Sequence, residues 1–478
     1  MKKLLAMALC VAMGSALLAG CSGSGQTATT AAPAGTQAPE TTAAPAAPAT
    51  TAAPATTAAA PAATEAAPPP AEAAKSDEPV TLRWAMWDYN ATAYYKAIKN
   101  AYSLVKPNVT LEFVDLGSAD FNASLTTQLA GGESYDVISV KDTPGYLQLI
   151  DGGYVEDLNP YIAKSDVPHA TAYDAPYTLD DGKLYQLAWR ADPWVLFYNK
   201  TMFDAVGVPY PKNGITFSEY DALVNEVGEK LQALPSDSPY AGKQATFYHG
   251  WRSTIQLYAC TATGDAKQLF SGGDYSYLKP YYEAILGQME KGYAMSWPDA
   301  SAVGARYDNN FVTQDFAMVP MGTWLVTNIL SKAGYGDFEW GMASYPVAEG
   351  VTQRIAPATT TGAALASNSK NKDAAYEFIA WLAGPQGAST LAATGAFTAY
   401  VDENVNDLLF AAKGFPQDAA SMEALQPDST FLEAPVMPNS SPISSALDAG
   451  NTAIMKEGAT IDEGLEMMTE GVAAALEQ

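Results

Sequence analysis

From Ser22 to Asp77 the chain is built almost entirely of Ala, Thr, Pro, Gly and Ser, as in Thr41-Thr42-Ala43-Ala44-Pro45. A tract without large apolar side chains has nothing to bury, so it cannot offset the entropy lost on ordering. It reads as a tether, polyproline-like in part, spanning about 170 Å if fully extended at about 3.1 Å per residue. Whatever folds must lie beyond it, in the 400 residues from Pro79 to Gln478. That length is too great for one simple core and predicts two domains. With 48% of residues hydrophobic and 11% aromatic, both can be well filled.

The segment before the tract sets the expected address. Lys2 and Lys3 form a positive head, and Leu4 to Leu18 an apolar run too short for a stable membrane span. Leu18-Ala19-Gly20-Cys21 follows. A Cys directly after Leu-Ala-Gly looks like the bacterial lipobox, whose thiol is acylated and whose signal is cut just before it. Residues 1–20 are thus expected to be a lipoprotein signal peptide, and 21–78 the lipidated Cys21 plus tether. The protein would sit on the outer face of the cytoplasmic membrane, on its extracellular or periplasmic side, held by lipid alone. No second long apolar run occurs, so no transmembrane helix is expected.

The chain has three cysteines, Cys10, Cys21 and Cys260. They make no disulfide framework, and Cys260 is expected to be a small buried hydrophobe. Fifty-two acidic residues against 26 basic ones give a net charge of −26. A phosphate backbone requires the opposite sign, so nucleic acid is excluded as a partner. The acidity fits a solubility role, or attraction of a cationic ligand.

The body begins with a βαβαβα rhythm. Strands are expected at 80–87, 108–115 and 136–140, with helices at 91–105, 121–130 and 144–150 between and after them. This predicts a largely parallel sheet covered by helices, with ligands bound beyond the carboxyl ends of the strands. Asp181-Gly182, between Tyr177-Thr178-Leu179 and Leu184-Tyr185-Gln186-Leu187, signals a hairpin. A strand at 194–198 and helices at 201–206, 218–231, 281–291, 322–330, 374–383, 419–425, 441–456 and 461–475 complete the reading.

Four stretches in order then carry a family resemblance. They are Asp136-Val137-Ile138 through Leu149 with Gly153 to Leu158; Tyr198-Asn199-Lys200 through Phe203 to Gly207-Val208; Ala317-Met318 through Gly322-Thr323-Trp324; and Ser369-Lys370-Asn371-Lys372 through Phe378 to Trp381-Leu382. Together they resemble the large maltose-binding-like group of extracellular solute-binding proteins of ABC importers. The resemblance implies an α/β, two-lobed, periplasmic-binding-protein-like fold of type II, with a ligand cleft between lobes joined by hinge crossings. Crossings are expected near 188–192, 345–346 and 395–402. Lobe 1 would then comprise 79–188 and 346–398, and lobe 2 189–345 and 399–478. The implied function is capture of a sugar or oligosaccharide by hinge closure and delivery to ABC permease subunits, by a monomer. A receptor for polyamines or other cationic solutes is the alternative. A secreted carbohydrate-active enzyme, or an adhesive surface lipoprotein, is a more distant one.

Sugar recognition needs flat indoles for the apolar ring face, and carboxylates, amides and guanidinium groups for the hydroxyls. The expected ligand-binding residues are Trp87 and Asp88 after the first strand, Lys141 and Asp142 after the third, and Trp189 and Arg190 at the first crossing. Trp251 and Trp297 are expected in loops, Gly322, Thr323 and Trp324 at a helix start, and Thr361 beyond the second crossing. Asp88 and Asp142 could also cap the helices that follow. Trp84, Trp194, Trp340 and Trp381 are expected to be structural. No catalytic residue, cofactor or metal is expected. His169 and His249 are far apart, and no triad order, nucleophile elbow or P-loop occurs. Asp402-Glu403-Asn404 lacks the glycine and terminal glutamate of a calcium loop.

Overall fold

The structure, a computed structural model, describes residues 78–90, 92–332 and 338–477. The signal segment, Cys21 and the Ala/Thr/Pro tract lie outside the described residues.

The opening rhythm is present: β1 (Val80–Met86), α1 (Ala93–Val105), β2 (Val109–Asp115), α2 (Phe121–Ala130), β3 (Val137–Val140) and α3 (Thr143–Asp151). β1 lies between β2 and β3 and is parallel to both. Each helix docks by one stripe; α1 buries Tyr94, Tyr95, Ile98 and Tyr102 at helical spacing. α3 starts where the Asp142 carboxylate accepts the Gly145 N–H at 2.8 Å, with Pro144 in its first turn.

Six strands follow: β4 (Leu187–Asn199), β5 (Gln244–Thr246), β6 (Phe316–Gly322), β7 (Trp340–Ser344), β8 (Ile355–Leu365) and β9 (Ser429–Leu432). The sheet runs β2-β1-β3-β8-β4-β6-β5, with β7 also on β4 and β9 on β8. It is mixed, which corrects the expectation of a largely parallel sheet. β3/β8, β4/β8, β4/β6 and β4/β7 are all antiparallel. The reason is that β4 and β8 are long return strands rather than members of βαβ units.

The hairpin expectation is also corrected. The Asp181-Gly182 turn forms, with Lys183 O accepting the Leu179 N–H at 2.9 Å and Gly182 at φ +81°. Its flanks do not pair as strands, however. Leu187 pairs with Ala363 of β8. All 13 residues of β4 are buried, and from Leu187 the strand joins the antiparallel ladder of the 11-residue β8, a longer partner than Tyr177-Thr178-Leu179 could offer. β4 pairs with β8 as far as Pro193; from Trp194 it lies between β6 and β7.

Two large hydrophobic cores result. One draws on residues 82–189 and 363–396, with Trp84, Ile138, Leu365 and Phe378 at its centre. The other draws on residues 194–356 and 388–475, with Phe197, Tyr220, Met318, Leu325 and Met468. In the second, Phe217–Gln232 opens with a reciprocal capping box between Thr216 and Glu219. Cys260 is buried there, and burial pushes its thiol up to about 12, an inert state. Asp402 caps the helix Glu403–Phe410 through the Val405 N–H at 2.8 Å.

Candidate functional site

The β4 strand lays the floor of the candidate site. Side chains alternate across a strand, so Arg190, Asp192 and Trp194 share one face. Across the ladder, Thr361 lies opposite Arg190 and Thr359 opposite Asp192. Arg190, Trp189 and Thr361 therefore meet at the expected crossing, but not as an open ligand surface. The Arg190 guanidinium donates to Asp192 Oδ2 and to the Tyr94 hydroxyl, each at 2.6 Å, and both members of the ion pair are buried. Burial raises the Asp192 carboxyl despite its Arg190 partner. Arg190 is thus already engaged within the protein.

Trp189 points to the opposite face, into the first core, where it packs edge-on against Trp84 at 5.8 Å and Tyr94 at 5.7 Å. Its indole is 1% exposed, which corrects its place among ligand-facing residues. Trp297 needs the same correction. It opens the helix Trp297–Val303 rather than sitting in a loop, and it is 1% exposed. An apolar neighbourhood claims a flat ring as readily as a ligand does.

The remaining aromatics form one wall. Trp324 begins the helix Trp324–Ser331 directly after β6. Its ring folds back over Gly322, where a β-carbon would lie only 2.0 Å from an indole carbon, so glycine is the residue that fits. Trp324 stands perpendicular to Trp194 at 5.6 Å and meets Trp251 at 6.4 Å. Trp251 is 40% exposed and packs on His249 at 4.3 Å and Tyr307 at 5.7 Å. Burial, reinforced by Arg306, lowers the His249 imidazole to about 4. His249 is therefore a neutral aromatic at pH 7.

The facing wall comes from the carboxyl ends of β1 and β3. Trp87 packs on Phe121 at 4.9 Å and is half-buried. Asp88 adopts φ +55°, uncommon for a residue with a side chain. The Asp115 carboxylate holds it there by accepting the N–H groups of Asp88 and Tyr89, both at 2.9 Å. Asp88 does not cap α1 with its side chain; its carbonyl instead accepts the Thr92 hydroxyl. It lies within electrostatic range of Arg306 and Tyr307 on the opposite wall. Lys141 bonds to Ser118 O, and burial lowers its ammonium against the pull of Asp142 and Asp88. Asp142 both caps α3 and accepts Asn122 Nδ2 at 2.9 Å.

Sequence reasoning missed Glu433. It follows β9, accepts Trp194 Nε1–H at 2.9 Å, and bonds to the Thr359 hydroxyl. Burial raises its carboxyl, and Asp142 lies within electrostatic range. No local motif marks Leu432-Glu433-Ala434; only the β8/β9 pairing brings it to the floor. Arg252 faces Asp448 at 3.4 Å. Asp308 would be raised by burial, but Arg306 and Lys332 hold it below the usual range. Among the described residues no cluster of His, Cys, Asp and Glu could hold a metal ion.

The model of the bacterial extracellular solute-binding proteins matches residues 87–389. An uncharacterized lipoprotein of Streptomyces antibioticus is 25% identical over 67% of this chain and 70% of its own length. The erythritol/L-threitol-binding protein of Mycolicibacterium smegmatis is 23% identical over 66% of this chain and 69% of its own. A sugar transporter of Rhizobium etli, solved in an open conformation, is 37% identical, with a TM-score of 0.67 over 82% of this chain and 99% of that one. A Listeria monocytogenes ABC substrate-binding protein in complex with cycloalternan is 19% identical, with a TM-score of 0.67 over 84% of this chain and all of that one. The two solved neighbours are two-lobed solute-binding proteins, and the fold here is theirs. With nearly two thirds of its length matched by one family model, the chain belongs to the bacterial extracellular solute-binding proteins, the receptors of ABC importers.

Proposed function

We propose that this receptor captures a neutral sugar or oligosaccharide in the cleft between the two cores and hands it to a membrane permease. The observation that carries this is the pairing of carboxylates beside an open indole wall. Asp142, Asp192, Asp308, Asp448 and Glu433 each meet a donor from the protein itself. A cationic solute needs uncompensated negative charge, whereas sugar hydroxyls bond to carboxylates that are already held in place. Trp324 and Trp251 supply the apolar face. Asp88, Trp87, Lys141, Glu433 and Thr359 are the groups we assign to the hydroxyls. The Listeria neighbour with bound cycloalternan and the erythritol/L-threitol-binding relative support the ligand class.

The finer organisation belongs to the same reading. The expected lobes, 79–188 with 346–398 and 189–345 with 399–478, need one shift. β4 and β8 are the strands that pass between the cores, and Ile355 and Ala356 pack in the second core and Ala363 to Ala366 in the first, so the second crossing would fall within β8 rather than at 345–346. Cys21 would carry the lipid, the Ala/Thr/Pro tract would be the tether, and the protein would act as an anchored monomer on the outer face of the membrane. The Streptomyces relative's name as a lipoprotein supports the anchor.

Thermal-shift screening of neutral oligosaccharides, polyols, polyamines and amino acids tests the reading. A ligand held at a hundred times its Kd stabilises the folded state by about 2.7 kcal/mol. A shift with saccharides or polyols alone is expected. A shift with spermidine alone would replace it with the cationic reading, and turnover of a glycoside would make the protein an enzyme.

A further inference from the structure

Thr323 occupies the N-cap position of the helix Trp324–Ser331, yet its side chain caps nothing. A threonine there ordinarily turns its oxygen to the free N–H groups of its own first turn. Here the hydroxyl donates instead to Asp192 Oδ1 at 3.2 Å, and the Thr323 N–H donates to Pro193 O at 3.0 Å. Both Thr323 and Asp192 are buried. Asp192 is held in turn by Arg190, and Arg190 by Tyr94 of α1. One chain of hydrogen bonds therefore runs from the first core, along β4, to the residue preceding Trp324. Such a buried ion pair is a poor source of net stability, and here it displaces a cap that would have stabilised the helix locally.

We propose that Asp192 and Thr323 are positioning residues. They fix the rotation of the helix start, and so the tilt of the Trp324 indole over Gly322 and against Trp194. Arg190 holds one oxygen of the Asp192 carboxylate, Oδ2, and so turns the other, Oδ1, to the Thr323 hydroxyl. The inference rests on the reading of Trp324 as a ligand-facing ring, but it concerns the ring's placement. That can be measured without any ligand.

The test compares Thr323→Val, which keeps the shape and removes the hydroxyl, with Thr323→Ser, which keeps the hydroxyl. Near-ultraviolet circular dichroism of the Trp194–Trp324 pair is the first readout, with Trp324→Phe defining the signal of that pair. Affinity for maltotriose as a neutral probe is the second, and melting temperature the third. Thr323→Val is expected to lose most of the pair signal and at least tenfold in affinity, and Thr323→Ser to restore both. Asp192→Asn, which retains an acceptor oxygen but loses the ion pair, is expected to fall between them. An unchanged spectrum in Thr323→Val overturns the proposal whatever the ligand proves to be. If the parent protein ignores maltotriose, the choice of sugar has failed and the spectrum still decides. Should Thr323→Val not fold, Thr323→Ala removes the same hydroxyl and is read in the same way.

Discussion

An indole on the cleft wall and an indole in a core respond to truncation in opposite ways. Trp324 is half-buried with one side on Trp194, whereas Trp189 is covered by Trp84, Tyr94 and Tyr95. Trp324→Ala is expected to weaken ligand binding by about 2 kcal/mol, roughly thirtyfold, with little change in melting temperature. Trp189→Ala leaves a cavity and should cost about 3–5 kcal/mol of stability. Calorimetric titration beside thermal unfolding separates the two; equal affinity in Trp324→Ala would make that ring structural. A second expectation concerns His249. Its folded-state imidazole titrates at about 4, and its unfolded one near 6.5. Between those values the unfolded chain binds a proton that the folded chain refuses. Its contribution is therefore complete above about pH 6.5 and is lost as pH falls toward 4, on the order of 3 kcal/mol in all. Arg306, Lys456 and Asp308 are the charged groups acting on it. His249→Phe should flatten that part of the stability–pH profile, and an unchanged slope would show the ring is solvated. The sequence singles out Trp324, after Gly322-Thr323, and Trp87, after the first strand, as the foremost cleft indoles. It does not show which face of a strand meets a helix, so it also offers Trp189 and Trp297, which turn into the cores. Glu433 had no local signal at all.

The elements were legible where their order is local. β1 through α3 alternate within about 70 residues, and each helix has a stop or start signal beside it, such as the glycine pair after α2 or Asp142 before α3. Of the crossing strands only the second half of β4, 194–198, was legible. β8 and β9 pair with segments far away in sequence, and β8 is rich in Ala and Thr, a composition without clear strand period. The helices near the carboxyl end show what periodicity leaves out. Ser440–Thr452 and Ile461–Leu476 touch at Gly450 and Gly464. A β-carbon on Gly450 would lie 2.5 Å from Gly464 O and from Met468 Cγ. The contact is backbone to backbone, so it cannot be relieved by turning a side chain. Gly450→Ala, although it raises helix propensity, should destabilise the protein by about 1–3 kcal/mol through overpacking. Denaturant unfolding measures this. A more stable variant would mean that the two helices can part without cost.

At the scale of the whole molecule, charge and cleft chemistry point in different directions, and that difference is testable. The chain carries a net charge of −26, a field that would concentrate cations and steer them into any cleft. Yet the carboxylates on the floor and walls are largely matched by Arg190, Arg252, Arg306, Lys332, backbone N–H groups and the Trp194 indole. Neutral ligands feel no net force from the global field, and their hydrogen bonds inside a closed site are little screened by salt. Cationic ligands would feel both the field and its screening, because the Debye length shrinks from about 30 Å at 0.01 M to about 3 Å at 1 M. The dissociation constant and association rate of the physiological ligand should therefore stay within about twofold across that range. A cationic ligand would instead lose association rate steeply with salt, the signature of electrostatic steering. Stopped-flow tryptophan fluorescence over a salt series reads both quantities from the indole wall itself. A tenfold fall in association rate between those salt concentrations would reassign the cleft to a charged solute, with Asp88, whose carboxylate takes no hydrogen bond from a described side chain, as its counter-ion.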